Sequence, residues 1–279
     1  MLLHFIRTPK PRNPVLEELY AQLCRRQFEV SEGIPEREPV DLDAGPRHDL
    51  YVLKGRTKLA LSYAGILELQ GARVLNPYAA CATILDKLVA TARLRRAGIP
   101  VPRSWAAADK ASLAEIAAGA GFPLIVKPFD GIGSRGITVI RDMDGLAAVR
   151  LTDEPVLVQE YVDGCTRRYK IHCVGERVFA TWKPFSLGGV HDHSQPCDVG
   201  DEVRDLARRC GRLFGLGLYG LDVLFGPGGP VVVDLNSFPG YGDLPGIATV
   251  LADYIEAYAR GQIVLPAAGA RFEPSLQCG

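Results

Sequence analysis

The stretch Val233-Asp-Leu-Asn-Ser-Phe-Pro-Gly-Tyr241 is the strongest local signal in this 279-residue chain. Asp234 and Asn236 are two positions apart in an apolar run, so on a strand both side chains point to one face. Phe-Pro-Gly-Tyr then predicts a sharp corner at the end of a buried strand. Asp222 sits in a second apolar run, Leu221-Asp-Val-Leu224, just upstream.

Two carboxylates and an amide oxygen that converge on one point form an all-oxygen site, which suits Mg²⁺ completed by phosphate oxygens and water. The sequence therefore predicts a magnesium site at Asp222, Asp234 and Asn236. An alternative stays open on this pattern alone, because short acidic patterns also occur as ordinary polar residues of edge strands.

A second segment, Leu124-Ile-Val-Lys-Pro-Phe-Asp-Gly-Ile-Gly-Ser-Arg-Gly136, predicts a phosphate-binding loop. Lys127 ends an apolar strand, where its ammonium can meet a phosphate as a point charge. The glycines around Gly133 and Ser134 allow backbone N–H groups to close over an anion. A bare glycine-rich loop is more often a plain hairpin, and Lys127 is what favours the phosphate site.

A third segment, Val156-Leu-Val-Gln-Glu-Tyr-Val-Asp-Gly164, reads as an apolar strand that breaks into polar residues. Gln159, Glu160 and Tyr161 would offer edge backbone groups to an adenine, and Asp163 could reach ribose hydroxyls. Taken by itself, this pattern is a common strand end.

The first part of the chain predicts an open α/β domain. Short apolar strands at Leu2–Ile6, Leu50–Leu53 and near Arg73–Leu75 alternate with helices at Val15–Arg26 and Lys58–Leu69. Strand, helix and strand with short joins are typical of βαβ units.

The rest of the chain predicts an α+β body. Apolar runs predict strands at Leu124–Lys127, Ile137–Ile140, Val156–Gln159, Tyr169–Val174, Val178–Trp182, Gly220–Phe225 and Val231–Leu235. Helical periodicity predicts helices at about Ala80–Arg96, Ser112–Ala118, Asp201–Phe214 and Gly246–Ala259, and Ser186–Val199 reads as a loop.

Bulk composition narrows the class of protein. Lys plus Arg and Asp plus Glu are equal at 32 each, and this balance argues against a nucleic-acid partner. The seven cysteines show no metal-binding or disulfide spacing, which favours reduced thiols and a cytoplasmic location. The apolar start is too short for a signal peptide, and no apolar run has a membrane-spanning length. We expect no membrane partner.

Taken in order and spacing, the three segments resemble the ATP-grasp superfamily, together with Asp86-Lys87 and Ala97-Gly-Ile-Pro-Val-Pro102. The resemblance covers about residues 80–259 and implies ATP and Mg²⁺ as cofactors. It implies that Lys87 and Lys127 contact ATP phosphates, that Gln159 to Tyr161 contact adenine, and that Asp222, Asp234 and Asn236 hold the metals. The expected layout is an N-terminal α/β domain on the substrate side (1–78), a central lobe with the phosphate loop (79–158), a C-terminal lobe with the metal site (159–265) and a tail (266–279).

Within that superfamily the chain looks most like the inositol-trisphosphate 5/6-kinase family. The segments that carry this likeness are Arg168-Tyr-Lys-Ile-His-Cys-Val-Gly-Glu176, Leu218-Tyr-Gly-Leu-Asp-Val223 and Val233–Tyr241. The likeness implies that Lys54, Lys170, Asn236 and Gly240 contact the inositol phosphate.

Two positions depart from that family. Its phosphate loop carries histidines where this chain has Phe129–Arg135, and Phe185 stands where a serine is expected after Lys183-Pro184. The first departure bears on the identity of the substrate and not on the ATP site.

The first functional hypothesis is a kinase that transfers the γ-phosphoryl group of ATP to a phosphorylated polyol. Lys127, Lys170 and Asn236 would be its catalytic residues, and Arg56 and Lys183 would join the substrate-binding residues. The alternative is a carboxylate–amine ligase that works through an acyl phosphate, in which a carboxylate nucleophile needs no general base. A non-catalytic nucleotide-binding relic is a third class, which the intact lysines and metal residues disfavour. We expect a small anionic substrate and a monomer or homodimer.

Overall fold

The computed structural model describes residues 1–129, 136–185, 194–242 and 244–267. Its first sheet has four parallel strands in the order β2-β1-β3-β4. The strands are β1 (Leu2–Ile6), β2 (Glu29–Gly33), β3 (Leu50–Leu53) and β4 (Val74–Leu75), with helices α1 (Pro14–Arg25) and α2 (Lys58–Leu69).

Side chains cap both of these helices. Asn13 precedes α1 and its side-chain oxygen accepts the N–H of Leu16, while Thr57 accepts the N–H of Ala60 at the start of α2. Such caps satisfy backbone donors that have no partner inside a helix. They explain why each helix begins where the sequence predicts.

The helix predicted over Ala80–Arg96 is wrong in one respect, since the structure has two helices there. Helix α3 spans Tyr78–Leu85 and helix α4 spans Lys87–Arg96. Asp86 separates them, and its carboxylate accepts the N–H groups of Leu88 and Val89 as the N-cap of α4. The break therefore places Lys87 in the first turn of a helix.

The second sheet is antiparallel, in the order β5-β8-β6-β7. Its strands are β5 (Ser104–Ala107), β6 (Leu124–Pro128), β7 (Thr138–Ile140) and β8 (Val156–Glu160). Helices α5 (Lys110–Ala120) and α6 (Met143–Ala148) pack on it, and Leu113, Leu124 and Val158 are fully buried between them.

The third sheet is antiparallel and has five strands in the order β11-β10-β9-β12-β13. They are β9 (Arg167–Val174), β10 (Arg177–Pro184), β11 (Gln195–Cys197), β12 (Leu218–Gly226) and β13 (Gly229–Ser237). Strand β11 lies where the sequence predicts a loop. The remaining helices are α7 (Asp201–Phe214), which packs with α3 and α4 on one face, and α8 (Ile247–Ala259).

Helix α8 joins the two ends of the chain in one core. Leu251 and Ile255 of α8 are buried with Leu3 and Phe5 of β1 and with Leu218 of β12. The buried Asn76 adds a polar link, because its Oδ1 accepts the N–H groups of Gly217 and Leu218 at 2.8 and 2.9 Å. The first and third sheets are thus packed together. The exact domain boundaries stay a prediction.

No helix in the described part of the chain is both long and apolar enough to cross a bilayer.

Candidate active site

A row of charged side chains crosses three neighbouring strands of the third sheet. Lys170 on β9 is paired with Asp222 on β12, and Asp222 is paired with Asp234 on β13. Directly paired residues of antiparallel strands share one face of the sheet. Asn236 follows two positions after Asp234, and its Nδ2 lies 3.4 Å from Asp234 Oδ2. The structure thus brings together the residues predicted to hold the metal, Asp222, Asp234 and Asn236, which we call the metal row.

The electrostatics of this row fit a bound cation. Burial and the neighbouring carboxylate of Asp222 raise the pKa of Asp234, against the opposing effect of Lys87, Lys127 and Arg56. Asp222 Oδ1 is buried and has no hydrogen-bond partner among the described residues. A buried acceptor without a donor costs free energy unless a cation or water meets it.

The donor set itself consists of two carboxylates and an amide, which are hard oxygen ligands suited to Mg²⁺. No cluster of three or more His, Cys, Asp or Glu side chains with metal-binding geometry occurs within residues 1–129, 136–185, 194–242 and 244–267. The role of Asn236 as the third ligand stays a prediction, and its Oδ1 accepts from Arg56 in this structure.

Lys127 bridges the second and third sheets. Its Nζ donates to Gln159 Oε1 at 2.6 Å and to the Val233 backbone carbonyl at 2.8 Å. Burial lowers the pKa of Lys127 to about 8, with Asp234 and Asp222 opposing the fall. The ammonium is therefore held beside the metal row before any nucleotide arrives.

Gln159 positions this lysine. It is buried, its Oε1 faces Lys127, and its Nε2 donates to Ser104 Oγ at 3.0 Å. Because an ammonium can only donate, the orientation of the amide is fixed. The predicted contact of adenine with the backbone at Gln159 stays a prediction. Its side chain is engaged with Lys127 and Ser104, a role that no local pattern reveals.

The other predicted nucleotide contacts lie at the end of β8. The N–H of Glu160 donates to Arg103 O at 2.9 Å, and that of Tyr161 donates to Pro123 O at 3.2 Å. Asp163 is exposed. Contacts of these residues with a nucleotide stay predictions, and Gly133 and Ser134 lie outside the described residues.

A cationic cavity of about 190 Å³ opens beside the metal row. Its charged walls are Arg168, Lys170 and Lys183, and Gly240 closes one side. None of the described residues that line it carries a carboxylate. Three of the residues predicted to bind substrate therefore line one cavity, whose charge suits an anion.

Two cations of the N-terminal part of the chain contact β13 and the corner that follows it. Arg56 donates to Asn236 Oδ1, and Lys54 Nζ donates to the carbonyls of Phe238 and Pro239 at 2.7 and 3.3 Å. Burial, together with the charges of Arg56 and Lys170, lowers the pKa of Lys54 to about 7. The structure thus uses Lys54 to hold the corner after β13, and its contact with substrate stays a prediction.

That corner is fixed by further contacts. Phe238 and Tyr241 adopt positive φ angles of 34° and 54°, which are uncommon for residues with a side chain. Tyr241 donates from its hydroxyl to Cys173 O at 2.6 Å, and Asn13 Nδ2 donates to Gly240 O at 2.8 Å. Such backbone conformations persist where the surroundings enforce them.

The three sheets, the lysine between them and the oxygen-ligand row define an ATP-grasp enzyme, which uses ATP and Mg²⁺. A sequence profile described as the RimK-like ATP-grasp domain matches residues 84–254. The chain belongs to this RimK-like ATP-grasp family.

Two relatives of the chain carry names for different activities. The chain is 29% identical over 214 residues to a probable alpha-L-glutamate ligase of Maridesulfovibrio salexigens, covering 69% of this chain and 70% of the relative. It is 23% identical over 298 residues to an inositol-tetrakisphosphate 1-kinase of Xenopus laevis, covering 85% and 74%. The superfamily resemblance is thereby confirmed. Further relatives are also named glutamate ligases, which favours the ligase over the kinase hypothesis.

Solved structures agree on the fold. A RimK domain ATP-grasp protein from Sphaerobacter thermophilus superposes with a TM-score of 0.78 at 18% identity, covering 91% of this chain and 99% of the other. The ATP-grasp ligase PsnB, complexed with minimal precursor, Mg and ADP, superposes with a TM-score of 0.68 at 22% identity, covering 92% and 98%. At these identities the likeness establishes the ATP-grasp fold.

Proposed function

We propose that this protein is an ATP-dependent ligase that joins a carboxylate to the amino group of an acidic amino acid, with glutamate as the first candidate. The relatives named as alpha-L-glutamate ligases support the reaction class. The acidic amino acid is supported by the cationic cavity beside the metal row.

The cationic cavity is the observation that supports an acidic amino acid as a substrate. Arg168, Lys170 and Lys183 line it, without a carboxylate among the described lining residues. An amino acid with two carboxylates would pair with these cations, because charge-assisted hydrogen bonds to carboxylates are stronger than neutral ones. Lys170 also faces Asp222 across β9 and β12, so a molecule held there lies next to the metal row.

The proposed reaction needs alignment and charge neutralisation more than proton transfer. A carboxylate oxygen attacks the γ-phosphorus of ATP and ADP leaves. The amino group, after losing a proton to solvent, attacks the acyl carbon; phosphate leaves and the nitrogen gives up a second proton. Lys127 and Lys87, whose charges act on Asp234, would neutralise phosphate charge, and Asp222, Asp234 and Asn236 would hold Mg²⁺. When bound, the metal supplies charge neutralisation at the phosphate oxygens.

The test is to supply Mg-ATP with glutamate, aspartate or glutamate-ending peptides, and separately with inositol phosphates. We expect ADP and free phosphate in equal amounts, with a product whose mass equals the two joined molecules minus water. The Asp234→Ala variant controls for contaminating ATPase activity. No turnover with any amino acid or peptide would refute the proposal.

The kinase remains the second candidate, because the Xenopus laevis relative is an inositol-tetrakisphosphate 1-kinase and a polyphosphate also suits a cationic cavity. The same assay separates the two reactions. A kinase would form ADP and a phosphorylated polyol without releasing free phosphate.

A further inference from the structure

A second cavity lies on the first sheet, away from the residues described so far. The connection between β2 and β3, residues 34–49, contains neither helix nor strand. It leaves a cavity of about 310 Å³ lined by the rings of His4, His48, Tyr51 and Tyr63, and also by the exposed charged residues Glu38, Asp41 and Arg47. It shares no lining residue with the cationic cavity.

The polar atoms beside His4 and His48 form one connected network. Ser31 Oγ donates to Leu3 O at 3.2 Å, and it also lies 2.9 Å from His4 Nδ1 and 3.1 Å from His48 Nε2. The serine hydroxyl has one proton; we assign it to Leu3 O, and in this assignment both ring nitrogens donate to the serine oxygen.

The remaining bonds complete the assignment. With its proton on Nε2, a neutral His48 accepts at Nδ1 from Tyr51, 3.3 Å away, while the Tyr51 oxygen accepts the Arg47 N–H at 2.9 Å. Burial lowers the pKa of His48, and burial together with the His48 charge lowers that of His4 to about 4, so both rings are neutral at pH 7. Every polar atom of the network is then satisfied except one, His4 Nε2.

The acceptor His4 Nε2 lies beside Gly33, where a side chain would come too close to it. A Cβ added at Gly33 would approach His4 Nε2 to 2.8 Å. The Gly33 backbone does not have a positive φ, so its conformation alone does not call for glycine. The Tyr63 hydroxyl nearby likewise has no hydrogen-bond partner within the described ranges, and burial raises its pKa so that it stays a neutral donor.

We propose that this cavity binds a small planar ring compound that donates a hydrogen bond to His4 Nε2 through an N–H or O–H group. The rings of His4, His48 and Tyr51 pack with centroids 4.7 to 5.6 Å apart, and Pro35 and Pro39 also line the cavity. Aromatic and proline surfaces favour a flat ring, while the acceptor at His4 Nε2 orients its donor group. The volume falls in the range of small-molecule sites.

The experiment compares two probes that differ in one donor. Indole carries a ring N–H, whereas 1-methylindole has the same ring without it. Saturation-transfer NMR with the full chain would measure the affinity for each probe. We expect indole to bind at least about fivefold more tightly, because one net hydrogen bond is worth about 1 kcal/mol.

Two variants then locate the binding site. His4→Phe keeps a ring but loses the acceptor, and Gly33→Ala fills the space in front of it, so each should weaken indole binding at least about fivefold. Tyr78→Phe, at an exposed tyrosine outside the cavity, is the matched control and should bind indole like the wild type.

Either of two results would overturn the proposal. One is equal affinity of the wild-type protein for indole and 1-methylindole, or binding of neither at millimolar concentration, and this test stands even if a variant fails to fold. The other is unchanged indole binding in a folded His4→Phe protein. Neither result bears on the ligase activity, which is assayed separately.

Discussion

Replacing Gln159 by methionine tests how the ATP-grasp lysine is held. Methionine has nearly the same length but lacks the oxygen that accepts the 2.6 Å bond from Lys127. Hydrogen bonds to charged groups contribute about 1.5–3 kcal/mol, and the ammonium would lose that partner inside the protein. The part of this energy that orients Lys127 toward the phosphates is lost on binding, so we expect the dissociation constant for Mg-ATP to rise by up to about 100-fold.

Isothermal titration with Mg-ATP would measure this loss without any second substrate, so the result does not depend on the identity of the reaction. Ser104→Ala is the matched control, because it removes only the bond from Gln159 Nε2 and keeps the acceptor for Lys127. Its effect on the affinity for Mg-ATP should be smaller. An Mg-ATP affinity of the methionine variant within twofold of wild type, with an unchanged melting temperature, would refute the positioning role.

Four further predictions concern single residues. Asp234→Ala should abolish turnover without lowering the melting temperature of the metal-free protein, because it removes a metal ligand and also the repulsion with Asp222; residual activity near wild type would contradict the metal site. Lys170→Ala should raise KM for the anionic cosubstrate far more than KM for ATP, and equal changes in steady-state kinetics would remove Lys170 from the substrate cavity. Asn76→Ala should lower the free energy of unfolding in urea by about 3 kcal/mol or more, because it leaves buried backbone groups of residues 217 and 218 without partners; a loss below about 1 kcal/mol would contradict this. Lys54 has a folded-state pKa of about 7 against an ordinary 10.5, so the unfolded state binds more protons between these values and stability should rise with pH across that window; the slope, up to about 1.4 kcal/mol per pH unit from this group, should be absent in Lys54→Met.

The strands that the sequence failed to predict share one property. Strands β2, β5 and β11 each lie at the edge of a sheet. An edge strand pairs on one side only and is less buried, so it does not need a continuous apolar run. Glu29-Val-Ser-Glu-Gly33 carries a single large apolar residue, which gives no strand signal. The interior strands, by contrast, were predicted because their burial requires apolar side chains.

The candidate active site likewise contains residues that the sequence could predict and contacts that it could not. Asp234 and Asn236 could be predicted because a strand places residues two apart on one face. The contact of Lys54 with Phe238 joins residues 184 positions apart, and that of Lys127 with Val233 joins residues 106 apart. Such contacts depend on how the sheets pack, which local periodicity does not encode. The positioning role of Gln159 escaped prediction for this reason.

The core that α8 shares with β1 and β12 has a consequence for how nucleotide reaches the cleft. The first and third sheets share buried side chains in one core, so we expect them to move together as one rigid unit. We therefore expect the sheet that carries Lys127 to move relative to them, which requires breaking the 2.8 Å hydrogen bond from Lys127 to Val233 O. On this expectation the bond breaks once when ATP enters the cleft and once when ADP leaves it.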